Sequence, residues 1–328
     1  MSTVRRRAAL RSLAAVPFLL PAARAAAQDR FPERPVRMIV PYAPGNVTDA
    51  VARLLAERLA KTWGQGVVVD NRPGAAGMIG LEMLAKAPAD GYTLGMGAIG
   101  PLALNPAFYA KLPYDPQKGF TPLSVTYRGP YLIAVEPSSP IKDVAGLVRA
   151  AKAESAGMNY SSPGNGSSQH LTAEMFKRAT GTNLIHVPHR GSAQAATSVI
   201  GKHVPVLFEV ISAALPLVRS GQLRALAVSS SKRLPFLPDV PTIAESGYPD
   251  VVTEGWLCML APAGLPAPLQ RRITQDIRQI VDSPDYAAQI EKMGGVAAST
   301  SPEELAAFVQ SEARRWGEVI RAGGIKVE

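Results

Sequence analysis

Apolar positions recur along this chain with two periods, and the two periods alternate. The run Val36-Arg37-Met38-Ile39-Val40-Pro41-Tyr42 has the length and composition of a strand. From Asp49 onward, Val51, Leu54, Leu55 and Leu59 fall on one face at helical spacing and predict a helix. Val67–Asp70 is β-branched and reads as a strand, and Asn71-Arg72-Pro73-Gly74 turns the chain. A helix is expected from Ile79 to Ala87, stopped by Pro88-Ala89-Asp90-Gly91, and a strand over Thr93–Ala98. Strands separated by helices in this order predict a parallel sheet covered by helices on its faces.

The rhythm loosens after that. Asn105 to Pro122 has no clean period and reads as an ordered connection. Tyr131–Val135 is strand-like, and Val144 to Lys152 is helical. The short run Met158-Asn159-Tyr160 leads into helix Leu171–Ala179 and strand Leu184–Val187. Helix Ser192–Ile200, strand Val204–Val210, helix Ala213–Ser220 and strand Leu223–Ser229 complete a second α/β unit. Residues 234–250 are rich in proline and suit a return crossing to the first unit. Strand Trp256–Ala261 follows, then helices over Leu269–Val281, Asp285–Met293 and Glu303–Arg321. Ser301, Pro302 and Glu304 have the spacing of a capping box with proline in the first helical turn. The fold class expected is α/β, with two α/β domains and a hinged cleft. The first domain is discontinuous, 28–128 with 250–328, and the second is 129–249.

One loop type occurs twice. Pro44-Gly45-Asn46-Val47-Thr48-Asp49 follows the first strand, and Pro163-Gly164-Asn165-Gly166-Ser167-Ser168 follows Met158-Asn159-Tyr160. Each leads from a strand into a helix. The first amides of a helix have no intrahelical partner, and the helix dipole adds partial positive charge there. Two such loops form two seats for an anionic group, a carboxylate or a phosphate. Placed on two lobes, they would close on one small acidic ligand.

The N-terminus alters the charge balance. Arg5, Arg6 and Arg7 precede a short apolar stretch, Ser12 to Ala23, and Ala23-Arg24-Ala25 and Ala25-Ala26-Ala27 offer small-x-small cleavage sites. Residues 1–27 thus read as a signal peptide. The arginines lack the pattern that follows a twin-arginine motif, so Sec export is expected. Removing five arginines and no acidic residue lowers the formal charge from +9 to +4. There is no dense basic stripe with interleaved aromatics, so no nucleic-acid partner is expected. The single cysteine, Cys258, lies in Trp256-Leu257-Cys258-Met259-Leu260 and reads as a buried small hydrophobe.

Enzyme signatures are sparse. There is no Gly-x-Ser-x-Gly elbow, no P-loop and no complete Gly-x-Gly-x-x-Gly, since Gln169 stands where the third glycine belongs. His170, His186, His189 and His203 have no cysteine or acidic partner at metal-site spacing, so no metal is expected. His186 is expected to pack or bond to backbone at its strand end, and His189 to line the cleft. Ser167 and His170 share a helix face but lack an orienting acid. Helix capping by Ser167 is the simpler role, and no catalytic residue is expected.

Several segments match a known family in order. They are Phe31-Pro32-Glu33-Arg34-Pro35-Val36 through Gly45, Val69-Asp70-Asn71-Arg72-Pro73-Gly74, Asp90-Gly91-Tyr92-Thr93-Leu94, Leu112-Pro113-Tyr114-Asp115-Pro116, His186-Val187-Pro188, Leu223-Arg224-Ala225-Leu226-Ala227-Val228, Leu237-Pro238-Asp239-Val240-Pro241-Thr242 and Ala261-Pro262-Ala263-Gly264. With them the chain resembles the tripartite tricarboxylate transporter substrate-binding proteins, the Bug family of periplasmic solute receptors. The resemblance implies a periplasmic binding protein-like fold (type II), no catalysis and no cofactor. It implies a small carboxylate or carboxamide ligand held by backbone amides, hydroxyls and waters.

Carried over position by position, the resemblance implies ligand contacts from Tyr42, Ala43, Gly45, Asn46, Val47, Thr48 and Asp49 in the first loop. It adds Ala98, then Ser162, Gly164, Asn165, Gly166 and Ser167 in the second loop, and Pro188, His189, Arg190 and Glu209. Asn46-Val47, His189-Arg190 and Phe208-Glu209 depart from the family pattern of Gly with a small residue, Tyr-Lys and Phe-Asp. Glu209 would repel a second carboxylate or accept a hydrogen bond from an amide or ammonium. The partners implied are a small organic acid and the membrane subunits of a tripartite tricarboxylate transporter or a sensor protein, with the receptor itself a monomer. A ligand-sensing receptor and a Ser167-dependent hydrolase are the alternative roles.

Overall fold

A computed structural model describes residues 31–327; the signal peptide expected over 1–27 lies outside the described residues. Strand β1 (Val36–Val40) lies between β2 (Val67–Asn71) and β3 (Thr93–Ala98), all parallel. Antiparallel β9 (Glu254–Pro262) continues the sheet beside β3. The apolar run at β1 is explained by burial on both faces. Val36, Met38 and Val40 pack with Leu55 and Leu59 of helix α1 (Val47–Trp63) and with Ile273 and Ile277 of α8 (Ala267–Val281). Ile39, on the opposite face, packs with Leu81 and Leu84 of α2 (Met78–Ala85) and with Leu305 and Trp316 of α10 (Pro302–Gly323). Two of the C-terminal helices therefore return to the first strands, one on each face.

Strand β4 joins the two halves of the sheet. It runs from Phe120 to Val135, not only over the expected Tyr131–Val135. Phe120 to Pro130 pair with β9, whereas the segment from Tyr131 pairs with β7 (Val206–Val210) and β8 (Arg224–Val228). Pro122, Gly129 and Pro130 interrupt the sequence pattern, which is why it gives no strand before Tyr131. In the fold Pro122 sits where the register with β9 shifts, at an irregularity that tolerates a residue without an amide hydrogen. The preceding connection is partly helical, with a π-turn over Gly100–Leu104 and a single turn, α3, over Asn105–Phe108.

Beyond β4, strands β7, β5 (Met158–Ser162) and β6 (Leu184–Pro188) are parallel in that spatial order. Their faces are again both buried. Ile133, Phe208 and Tyr160 meet α4 (Val144–Ala153) and α5 (Ser168–Thr180), while Leu132, Ala134 and Leu207 meet α6 (Ser192–Ile200) and α7 (Ile211–Arg219). Helix α9 (Pro284–Lys292) precedes α10, whose start carries the expected capping box. Ser301 accepts from the Glu304 amide at 3.1 Å, and the Glu304 carboxylate accepts from the Ser301 amide at 2.7 Å. Cys258 is buried and unpaired. No helix among the described residues is long and apolar enough to cross a membrane.

Candidate functional site

Parallel strands send their C-terminal ends, and the loops that follow, to one edge of a sheet. Ligands of open α/β sheets bind in crevices outside those ends. Here β1, β2 and β3 end at Val40, Asn71 and Ala98, and β5, β6 and β7 end at Ser162, Pro188 and Val210. A cleft of about 450 Å³ lies between loops from both sets. Tyr42, Ile99, Gly100, Asn105 and Phe108 line it from the first set, and Pro163 to Gln169 from the second. That volume falls within the usual range for small-molecule sites. A separate groove lined by Leu102, Gln117, Phe120, Leu305 and Gln310 includes no residue of the two loops.

The second loop is built to expose amides. Gly166 has φ of +70°, and a Cβ there would run into Val327 and Phe108, so only glycine fits. Its amide donates to Nδ1 of His170 at 3.1 Å. Ser167 caps α5, with its hydroxyl accepting from the His170 amide at 3.2 Å and donating to the Gly164 carbonyl at 2.8 Å. Ser167 and the His170 ring are thus each engaged with backbone. Among the described residues, the amides of Asn165, Ser168 and Gln169 have no acceptor. They are the free donors at the helix start.

Two histidines brace this loop from below. The His170 and His186 rings stack at 3.9 Å and 14°, and Tyr160 stacks on His186 at 5.0 Å. His186 therefore packs, as one of its two expected roles had it, and its Nε2 lies 2.6 Å from the hydroxyl of Ser162. Burial lowers the pKa of both rings to about 4, helped by Lys177 near His170 and by His170 itself near His186. Both rings are therefore neutral at neutral pH, as an acceptor for the Gly166 amide must be.

The first loop turns its donors inward. Asn46 caps α1 by accepting from the Asp49 amide at 2.9 Å. The buried Asp49 carboxylate accepts from the Gly45 amide at 3.0 Å, from Arg53 at 3.0 Å and from Asn71 at 2.9 Å. Burial alone would raise its pKa, but these bonds and the Arg53 charge hold it below the usual carboxylate range. Within the cleft the loop presents Tyr42.

Of the residues expected at the site, Tyr42, Gly164, Asn165, Gly166 and Ser167 line the cleft. Ala43 and Gly45 are exposed on the loop beside it, Asn46 and Val47 are half-buried at the start of α1, and Thr48 and Asp49 are buried beneath. Ala98 is buried one residue before Ile99, and Ser162 is buried under the second loop. Pro188 ends β6 and His189 and Arg190 follow it, with the His189 amide donating to the Ser162 carbonyl at 3.1 Å. Nε2 of His189 is buried without a partner.

Glu209 is fully buried behind Gln169. Its Oε1 accepts from the Gln169 side chain at 2.8 Å and from the Val210 amide at 2.7 Å, while Oε2 is unpartnered. Burial raises its pKa, only partly offset by Gln169, the Val210 amide and nearby Ser192. Sequence reasoning missed Gln169, Asn105 and Gly100 as lining residues; Gln169 stood out only as a missing glycine. Among the described residues, no group of three or more His, Cys, Asp or Glu side chains is placed to hold a metal.

The model of the tripartite tricarboxylate transporter family receptor matches residues 51–325. Protein BugT of Bordetella pertussis is 34% identical over 301 residues, covering 92% of this chain and 92% of that protein. The structure of Rpa4515 of R. palustris with adipate is 35% identical, with a TM-score of 0.79 over 90% of this chain and 99% of that one. The periplasmic binding protein BugD is 32% identical, with a TM-score of 0.75 over 91% of this chain and 100% of its own.

Proposed function

The chain belongs to the tripartite tricarboxylate transporter receptor family, and on that basis we propose that it captures a small carboxylate-bearing or carboxamide-bearing metabolite in the cleft and presents it to the membrane subunits of such a transporter. Receptors of this family are periplasmic solute-binding proteins. The observation that carries the reading is the free helix-start amides of Ser168 and Gln169 in the wall of the cleft. Amides at a helix start recognise a carboxylate without a cationic side chain. In this reading the two expected domains pivot about β4 near Gly129-Pro130 and about the segment that leads into β9. Closure around the ligand then signals occupancy to the transporter.

A thermal-shift panel on ligand-stripped protein tests the proposal, with organic acids, their amides and their methyl esters in parallel arms. Stabilisation by acids or carboxamides, with no response to the matched esters, is the expected outcome. Stabilisation by esters alone, or by none of the panel, would sink it.

A further inference from the structure

Beyond α10 the chain crosses to the second loop. Gly324 ends the helix in the left-handed region, with φ of +60°. Its amide donates to the Arg321 carbonyl at 3.2 Å, and the Ile325 amide donates to the Ile320 carbonyl at 3.1 Å. These bonds close the last turn and fix the direction in which the chain leaves it. Ile325, Lys326 and Val327 then alternate half-buried, exposed and half-buried. Apolar, charged and apolar side chains take those positions, as in an extended segment lying on a surface.

Each of the three residues meets the half of the molecule that carries the second loop. Ile325 packs on the cluster that contains Trp316 and Ile320 of α10 and the fully buried Leu171 of α5. Lys326 shares a surface pocket with Glu174 and Lys177 of α5. Val327 lines the cleft and lies against Gly166, and Phe108 of α3 is the other side chain against that glycine. Two apolar side chains of the first expected domain thus grip the backbone of the loop whose amides are free. Parting the two domains must pull both side chains off Gly166. The contact therefore stabilises the closed form alone, and a contact made in one form only shifts the equilibrium toward it. Half-burial of an aliphatic side chain is a shift of about three- to tenfold.

We propose that residues 325–327 form a strap across the cleft: seated on Gly166 beside Phe108, Val327 holds the second loop against the first expected domain and biases the empty cleft toward its closed form. The strap then gates both entry and release of the ligand. The inference rests on the two-domain closure described above. It also gives Gly166 a second reason to be glycine, since a Cβ there would unseat Val327 and Phe108 together.

The test is solution scattering and hydrogen exchange on ligand-stripped protein. The variant Ile325→Ser with Val327→Ser removes the apolar grip and keeps the chain length, and Lys326→Ser at the exposed position is the control. The double variant should have a larger radius of gyration than the wild type. Its His170 and Leu171 amides, which donate to Ser167, should exchange about tenfold faster or more, with exchange in α1 unchanged. Lys326→Ser should match the wild type in both readouts. Val327→Ala alone should give a smaller change of the same sign, which keeps the test valid if the double variant folds poorly. An unchanged radius with unchanged exchange would overturn the proposal. Faster exchange throughout the chain at an unchanged radius would overturn it also, by showing that the tail only adds stability. Neither readout uses an acid, so both failures leave carboxylate capture intact. A larger radius in the double variant, with no acid stabilising the wild type, would support the strap and refute capture.

Discussion

Acidification should loosen the second loop through His170. The ring is only 7% exposed, accepts the Gly166 amide at Nδ1 and stacks on His186. Its pKa falls from 6.5 to about 4, chiefly because burial opposes the charged form. A base held neutral in the fold takes up more protons when unfolded, so stability falls as pH drops through the window from 6.5 to about 4. One pKa unit corresponds to about 1.4 kcal/mol, so lowering the pH from 7 to about 5 costs about 2 kcal/mol from His170 alone. Protonation would also put a hydrogen on the acceptor of the Gly166 amide and release the loop.

The perturbation to compare is His170→Phe, which keeps a stacking ring and removes the titration. At pH 7 the variant should be about 0.5–1.5 kcal/mol less stable, since the Gly166 amide loses its acceptor. Urea unfolding of both proteins at each pH measures the difference. Protonation of carboxylates elsewhere lowers both curves alike, so the gap between them isolates the histidine. The wild type should lose about 2 kcal/mol more than the variant over this interval. Equal losses would refute the assignment of a neutral, acceptor His170.

Three further outcomes are expected. Ser168→Pro removes one free amide at the first helical position, where proline is well tolerated, and Ser167 already has the extended backbone (φ −64°, ψ 151°) that precedes proline. Ser168→Ala removes only the hydroxyl. Calorimetry should show the proline variant binding its carboxylate at least about tenfold more weakly than the alanine variant, given about 1.5–3 kcal/mol for a hydrogen bond to a charged group; equal affinities would exclude that amide from the site. Asn46→Ala should lower stability by about 1 kcal/mol through loss of the α1 cap, measured by urea unfolding. Gly166→Ala should destabilise more than Gly45→Ala, because the added Cβ meets Val327 and Phe108 at the first position and nothing within 4 Å at the second, although φ is positive at both.

Much of the fold was legible because strands buried on both faces read as apolar runs and the helices between them keep a clean period. Helix Ser192–Ile200 and strand Thr93–Ala98 match their expected bounds. The long strand β4 was not legible. Pro122, Gly129 and Pro130 erase its pattern, and its continuity depends on pairing with β9, more than a hundred residues away. The second loop was readable as a donor-rich helix start because glycine is needed where φ is positive and serine where a helix must be capped. The first loop looked equivalent, yet Asn46 and Asp49 bend back onto its amides, and side-chain direction is not encoded in spacing. Gln169 and Asn105 come to the cleft only through the meeting of loops from both halves. Glu209 stood out through its residue type, but its unpartnered oxygen is a property of packing.

The most direct measurement is calorimetric titration of ligand-stripped protein with the best acid from the panel and with the same acid fully esterified. A carboxylate held by the amides at the start of α5 should bind one-to-one, and the ester should not bind measurably. Equal affinity for acid and ester would contradict carboxylate capture in this cleft.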